Sequence, residues 1–283
     1  MKNNLKVALL MGAITALLIV MGNALGGKVG MIFAVGMAVL MNFGTYWFSD
    51  KIVLAMTRAQ PVDRNQAPEL YAMVETLSQR ANIPMPRLFV VPDPSPNAFA
   101  TGRNPQHGVV AVNEGLLRML DHSEVEGVVA HEIAHIKHRD TLTSAIVATA
   151  AGAISSLANL AMFASLFGGR SDDGEGGNPL VLLLSMIFGP IAAMMIQMAV
   201  SRAREYEADK FAAQIVGSGV GLRNALLKLE RGVQVMPSHM APSQAHMCIV
   251  NPLSGGGLMS LFSTHPPIAE RVRKLNELEP TLR

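Results

Sequence analysis

Charged residues are absent from four long stretches of the chain, and this pattern predicts its architecture. A bilayer core about 30 Å thick is crossed by roughly 20 apolar helical residues, and each stretch is long enough. The fourth stretch is apolar on every helical face, which is typical of a membrane span. We therefore predict four transmembrane helices, at about residues 7–27, 29–49, 143–167 and 179–201.

The positive charges beside these spans predict their orientation, because Lys and Arg concentrate in cytoplasmic loops. They cluster before the first span, after the second, before the third and after the fourth. The N-terminus and two polar segments are therefore expected in the cytoplasm. The predicted layout is an N-terminal hairpin (1–50), a polar segment (51–140), a second hairpin (141–201) and a second polar segment (202–283).

The polar segments mix two hydrophobic periods, which indicates an α+β domain. A helix is predicted where apolar residues recur at spacings of three and four, at Leu70, Met73, Val74, Leu77 and Ala81. The runs PRLFVV and GVVAV read as strands, with room for another strand in the turn-rich stretch between them. The expected fold is a mainly α membrane protein with a cytoplasmic α+β domain that carries a small β-sheet.

Composition narrows the class of protein. Half of the 283 residues are apolar and 16% are charged, with a net charge of +2. A disordered chain would have low hydrophobicity and high net charge, and a nucleic-acid binder would be strongly basic. Cys248 is the single cysteine, so an intramolecular disulfide framework and a multi-cysteine metal site are excluded.

The sequence HEIAH at residues 131–135 is the strongest chemical signal. His131 and His135 are four residues apart, so on a helix both imidazoles face the same way and can bind one Zn²⁺. Glu132 is placed to act on a water molecule as the catalytic base. Ser123 and Glu126 have capping-box spacing, which predicts a helix that begins near Ser123.

A third metal ligand is needed, and the segment after the fourth span offers it. On a straight helix His138 and Asp140 lie too far along the axis to share one metal ion with His131 and His135. Metzincins take a third histidine ligand six residues after the second histidine of the motif, and here that position is Thr141. Glu205 and Asp209 share a helix face, whereas Glu207 points away from it and is expected to be solvated. We predict Glu205 as the third ligand and Asp209 as the carboxylate that orients a ligating histidine. Arg202 and Arg204 are interpreted as interfacial anchors.

These motifs together resemble the HtpX-type integral membrane zinc metalloproteases, which are similar to the CAAX prenyl endopeptidases and more distantly to other gluzincins. The resemblance covers essentially the whole chain and includes HEIAH, SRAREYEAD, NAFATG, VNEGLL and THPP. It implies a zincin-like domain with one Zn²⁺ on His131, His135 and Glu205, and Glu132 as the base. It also implies proteolytic quality control of membrane proteins at the cytoplasmic face of the bacterial inner membrane.

Residues outside this core have less specific signals. His265 in THPP is a candidate either to donate to the oxyanion or to occupy zinc transiently, and Arg271 is a possible support or a structural ion-pair partner. Asn97, Ala98 and Phe99 are expected at a sheet edge that binds an extended substrate. The stretch 232–258 is a candidate mobile lid or substrate guide, and its His239, His246 and Cys248 are left unassigned.

The function predicted is therefore a membrane zinc endopeptidase acting on polypeptides, with no nucleic-acid partner. A processing protease of narrow specificity is the alternative within the enzymes. A membrane adaptor or chaperone with a structural zinc is the alternative outside them, although a structural site normally has four protein ligands. A four-span transporter is disfavoured because the spans lack ionisable residues.

Overall fold

The structure is a computed structural model that describes residues 2–144, 146, 202–235, 249 and 266–282. Its helices and strands in chain order are α1 (Lys2–Thr57), β1 (Gln60–Pro61), α2 (Pro68–Arg80), β2 (Arg87–Val91), β3 (Ala98–Thr101), β4 (Val109–Asn113), α3 (Glu114–Met119), α4 (His122–His138), α5 (Arg202–Val216), α6 (Val220–Val235) and α7 (Ile268–Leu278). Short 3₁₀ turns occupy Pro105–His107 and Glu279–Thr281. The predicted spans at 143–167 and 179–201 lie almost wholly outside the described residues.

Helix α1 folds back on itself at Gly27, whose φ of 56° is in the left-handed region. Its two arms touch: a Cβ on Gly22 would lie 2.4 Å from the carbonyl oxygen of Gly30, and Asn42 Nδ2 donates to Thr15 Oγ1 at 2.8 Å. Within the described residues, Gly27–Thr57 is the segment long and apolar enough to cross a membrane, and the apolar part of the first arm is shorter. The four-span topology therefore stays a prediction.

The four strands form one sheet in the order β1-β2-β4-β3. Strands β2 and β4 are the two predicted strands and β3 lies in the turn-rich stretch between them, whereas β1 was not predicted. Strands β2 and β4 are parallel, and β3 pairs with β4 in the antiparallel direction. Side chains of β4 alternate between two apolar clusters, since Val110 and Val112 pack with α2 and α4, and Val109 and Ala111 pack with the end of α1. The sheet therefore lies between α1 and the helical layer, and β3 is left at an edge.

Helix α4 is the central helix and begins at His122, close to the predicted start, but its capping residue lies two positions earlier than the sequence predicts. The capping box is formed by Asp121 and Glu124: the Asp121 carboxylate accepts from Glu124 N at 3.0 Å, and Glu124 Oε2 accepts from Asp121 N at 2.9 Å. The predicted pair, Ser123 and Glu126, has the same spacing, but the Ser123 hydroxyl instead donates to Asp121 Oδ1. Lys228 Nζ lies 2.6 Å from Glu124 Oε2 and ties α6 to this cap.

Two glycines allow α4 and α6 to approach each other closely. A Cβ on Gly127 would lie 2.4 Å from Leu222 N, and one on Gly221 would lie 2.2 Å from Ser123 O. Real Cβ atoms do not tolerate such distances to backbone, so a side chain at either position would force the helices apart. The position of α4, which carries the HEIAH motif, depends on this contact.

We expect the substitution Gly127→Ala to lower the free energy of unfolding by about 1–3 kcal/mol, as overpacking of a tight interface does. Gly36→Ala is the matched control, because a Cβ at Gly36 meets nothing within 4 Å. Thermal unfolding of the detergent-purified protein measures both. Equal unfolding midpoints for the two variants would contradict the close contact of α4 with α6.

Candidate metal centre and active site

The two histidines of HEIAH converge on one point in the middle of α4. Their rings are perpendicular, with centroids 4.7 Å apart, and their Nε2 atoms are 3.1 Å apart. His131 is buried, with 1% of its surface exposed, and His135 is partly buried. This is the arrangement expected for imidazoles four residues apart on a helix.

Helix α5 brings Glu205 to the same point, as predicted. Its Oε2 lies 3.7 Å from His131 Nε2, and its Oε1 lies 3.6 Å from His135 Nε2. The two helices pack against each other, and each carries small residues that are almost fully buried, namely Ala130, Ala134, Ala208 and Ala212.

The geometry of these three groups fits a tetrahedral metal ion. Ligands held 2.0–2.1 Å from zinc at tetrahedral angles are about 3.3 Å from one another. The two histidine Nε2 atoms are 3.1 Å apart, and each has a Glu205 oxygen at 3.6 or 3.7 Å, Oε1 for His135 and Oε2 for His131. All three belong to a group whose candidate ligand atoms lie within 4.8 Å of one another. The site can therefore hold a metal without rearrangement of its backbone.

Asp209 supports His131 from the side away from the other donors. Its Oδ1 lies 3.0 Å from His131 Nδ1, and Arg271 donates to both of its oxygens at 2.8 and 2.6 Å. Because an ionised carboxylate only accepts, it favours a proton on Nδ1, so Nε2 is the nitrogen that a metal binds once the proton there is displaced. Burial opposes ionisation of Asp209, but the Arg271 charge lowers its pKa to about 2.

Asp140 has the corresponding position beside His135, which sequence reasoning missed. A straight helix would carry Asp140 away, but α4 ends at His138, and Arg139 has the left-handed φ of 60°. Asp140 Oδ2 consequently lies 3.3 Å from His135 Nδ1. The signal in the sequence is faint, since nothing in the composition marks Arg139 as the end of the helix.

The interpretation of Arg204 as an interfacial anchor is incomplete. Its Nη1 lies 3.2 Å from Asp140 Oδ1, and its side chain is 16% exposed. Burial would raise the pKa of Asp140, but His135 and Arg204 together hold that pKa below its ordinary value. The Nδ1 atom of each candidate ligand histidine thus lies beside a carboxylate that is paired with an arginine.

Glu132 lies in the same pocket and is 5% exposed. Burial raises the pKa of its carboxyl above the ordinary value, while the charges of His131 and His135 and the backbone amide of Ala100 act in the opposite direction. A raised pKa suits a group that must accept a proton and later return it. The contact with Ala100 places β3 beside the candidate base.

Strand β3 is an edge strand of the described sheet and lies next to the site. Asn113 N donates to Asn97 O at 2.9 Å, which makes Asn97 a hydrogen-bonded partner of β4. Along an antiparallel strand, residues whose backbone bonds the neighbouring strand alternate with residues whose backbone points to the other side. The backbone groups of Ala98 and Ala100 therefore face away from β4. The side chain of Asn97 is buried, and its Oδ1 accepts from Ile249 N at 3.2 Å.

The other candidates have different positions. Glu207 is exposed, as predicted. His138 packs on Phe211 with ring centroids 5.3 Å apart. Arg271 is fully buried in its ion pair with Asp209, and its Nη1 also donates to Ile249 O at 3.3 Å. His265, His239, His246 and Cys248 lie outside the described residues.

Comparison with known proteins identifies the family. The model of peptidase family M48 matches residues 64–279. A protease HtpX homolog of Methylibium petroleiphilum is 53% identical over 283 residues, and one of Burkholderia cenocepacia is 52% identical over 284 residues; each match covers 99% of both chains. The crystal structure of S. mikatae Ste24p shares the fold with a TM-score of 0.53 at 18% identity, over 96% of this chain and 64% of that one. The family match and the full-length relatives show that the chain belongs to peptidase family M48, as a metalloendopeptidase of the HtpX type.

Proposed function

We propose that the protein is a zinc-dependent endopeptidase that cleaves misfolded or damaged membrane proteins at the cytoplasmic face of the bacterial inner membrane. The observation that carries this proposal is the meeting of three donors, His131, His135 and Glu205, with the buried Glu132 beside the edge strand β3. An apolar helix segment, Gly27–Thr57, precedes this site in the chain and supports the membrane part of the proposal.

Zinc is the metal that this donor set favours. Two imidazoles and one carboxylate are the ligands of several catalytic zinc sites, in which the fourth position is left for water or substrate. When bound, the ion would act as a Lewis acid on the scissile carbonyl and lower the pKa of water. His131, His135 and Glu205 would hold it, with Asp209 and Asp140 fixing the two rings.

Glu132 is the general base in this proposal. It takes the proton of the attacking water and delivers it to the nitrogen of the departing peptide segment. Burial keeps its carboxyl basic enough to accept that proton. On the sequence alone, His265 remains a candidate either to donate to the oxyanion or to occupy zinc transiently.

The substrate is proposed to lie along β3 as an additional strand. The outward backbone groups of Ala98 and the carbonyl oxygen of Ala100 would bond its main chain, since the Ala100 amide already donates to Glu132. This gives binding without a strong demand on side-chain identity. Such binding suits a protease that acts on many unfolded segments. Asn97 acts indirectly in this proposal, because its side chain already holds Ile249.

We expect Glu132→Gln to retain about one bound zinc and to lose peptide cleavage by about a hundredfold or more. The amide keeps the shape of the side chain but cannot accept a proton. Casein cleavage and metal content of the detergent-purified protein measure the two properties. Glu207→Gln is the matched control, because Glu207 is exposed on α5 and should change neither.

A Glu132→Gln variant that cleaves as fast as the unaltered protein would overturn the assignment of the base. If the unaltered protein binds zinc but cleaves no member of a broad substrate set, the site is a structural element of an adaptor. Cleavage of one defined sequence alone would instead favour a narrow processing protease.

Metal affinity should fall as the pH is lowered from about 9 toward 6.5. Burial alone would lower the pKa of His131, but Asp209 and Glu205 raise it to about 9 from 6.5 in the metal-free protein. Below pH 9 a metal must therefore displace a proton from His131, so the metal affinity should fall about tenfold for each pH unit. Competition with a chelator across this range measures the slope, and a flat profile would contradict the raised pKa.

A further inference from the structure

A cleft of about 680 Å³ lies beside the C-terminal end of the apolar stretch of α1. Aromatic side chains of α1 line one part of it, namely Phe43, Trp47 and Phe48, and the basic side chains of Lys51, Arg87 and Arg103 line another. None of the candidate metal ligands belongs to its wall. The cleft is therefore a separate site, and its volume is within the range of ligand-binding pockets.

Its position along α1 corresponds to a membrane surface. Between Lys28 and Asp50 there are 21 uncharged residues, which at the helical rise of 1.5 Å per residue span about 30 Å, the thickness of one bilayer core. Trp47 and Phe48 stand at the end of this stretch, where aromatic residues of membrane proteins concentrate. With Gly27–Thr57 crossing the membrane, a premise that this inference shares with the proposed function, the cleft lies at the depth of lipid headgroups.

The cleft carries positive charge that the described part of the chain does not neutralise. Arg87 is paired with Asp50. Lys51 and Arg103 form no ion pair with a described carboxylate and lie against aromatic rings instead. Lys51 Nζ is 5.4 Å from the centroid of Phe48, and the Arg103 guanidinium is 4.5 Å from that of Trp47. Arg103 Nη2 also lies 2.7 Å from His107 Nε2, which fixes the direction of its other donors.

We propose that this cleft binds the phosphate headgroup of an anionic membrane lipid. A guanidinium and an ammonium at one mouth are suited to phosphate oxygens, and the neighbouring aromatic faces are suited to the glycerol and the start of an acyl chain. Phe43 and Trp47 are 58% and 44% exposed, which leaves their rings free to contact lipid. The proposal concerns lipid binding and does not depend on peptide cleavage.

Trp47 permits a direct test, because it is the single tryptophan of the chain. The full-length protein is placed in nanodiscs of phosphatidylcholine that contain a minority of brominated lipid, either phosphatidylglycerol or phosphatidylcholine. Bromine quenches a tryptophan that it touches. We expect the brominated phosphatidylglycerol to quench Trp47 more strongly at equal mole fraction, and Arg103→Gln to reduce this preference by about fivefold, the effect of one interfacial cation.

Each quenching value is taken relative to the same variant in unbrominated nanodiscs, because Arg103 lies on the ring that is observed. Lys51→Gln is the second variant and should reduce the preference without touching Trp47. Arg58→Gln is the matched control, since Arg58 is exposed at the end of α1 and does not line the cleft.

Three results would overturn the proposal. Equal quenching by the two brominated lipids would show that no anionic headgroup is preferred. An equal loss in Arg58→Gln and Arg103→Gln would show diffuse attraction to the membrane surface rather than a site. Removal of the preference by millimolar inorganic phosphate would show that the occupant is free phosphate.

Discussion

The ion pair of Arg271 with Asp209 holds together three helices that are distant in the sequence. Arg271 is fully buried, on α7, and donates to both oxygens of Asp209 on α5, while Asp209 Oδ1 faces His131 on α4. Loss of one partner from a buried pair costs about 3–5 kcal/mol, because the remaining charge is left without compensation. Arg271 Nη1 is also 3.9 Å from Glu205 Oε2, so the same charge helps to stabilise two carboxylates at the centre.

The rest of the site follows from this constraint. Helix α4 is buried in the middle of the domain, packed against the sheet and against α5 and α6. It presents the two histidines toward α5 and Glu132 toward the edge of the sheet at Ala100. The histidines come from residues before 141 and the carboxylates Glu205 and Asp209 from residues after 201, so the centre forms only when both polar segments fold together.

Local periodicity was sufficient to predict much of this arrangement. The apolar spacing of α2, the strands β2 and β4, and the shared face of Glu205 and Asp209 all follow from helical and strand geometry. Asp140 and Arg204 could not be found this way, because their contacts depend on the left-handed turn at Arg139 and on the packing of α5. The start of α4 was misplaced because Asp121 and Ser123 offer the same capping pattern. The burial of Arg271 is likewise a tertiary property that no local pattern reveals.

The central claim is that two imidazoles and one carboxylate hold the metal at the junction of the two polar segments. X-ray absorption spectroscopy at the zinc edge, on the zinc-loaded protein in detergent, tests it most directly. Zinc held by His131, His135 and Glu205 should show two imidazole ligands at about 2.0–2.1 Å, with the remaining ligands oxygen. The claim would be contradicted by a third imidazole in place of the oxygen of Glu205, or by a sulfur ligand such as Cys248, the single cysteine of the chain.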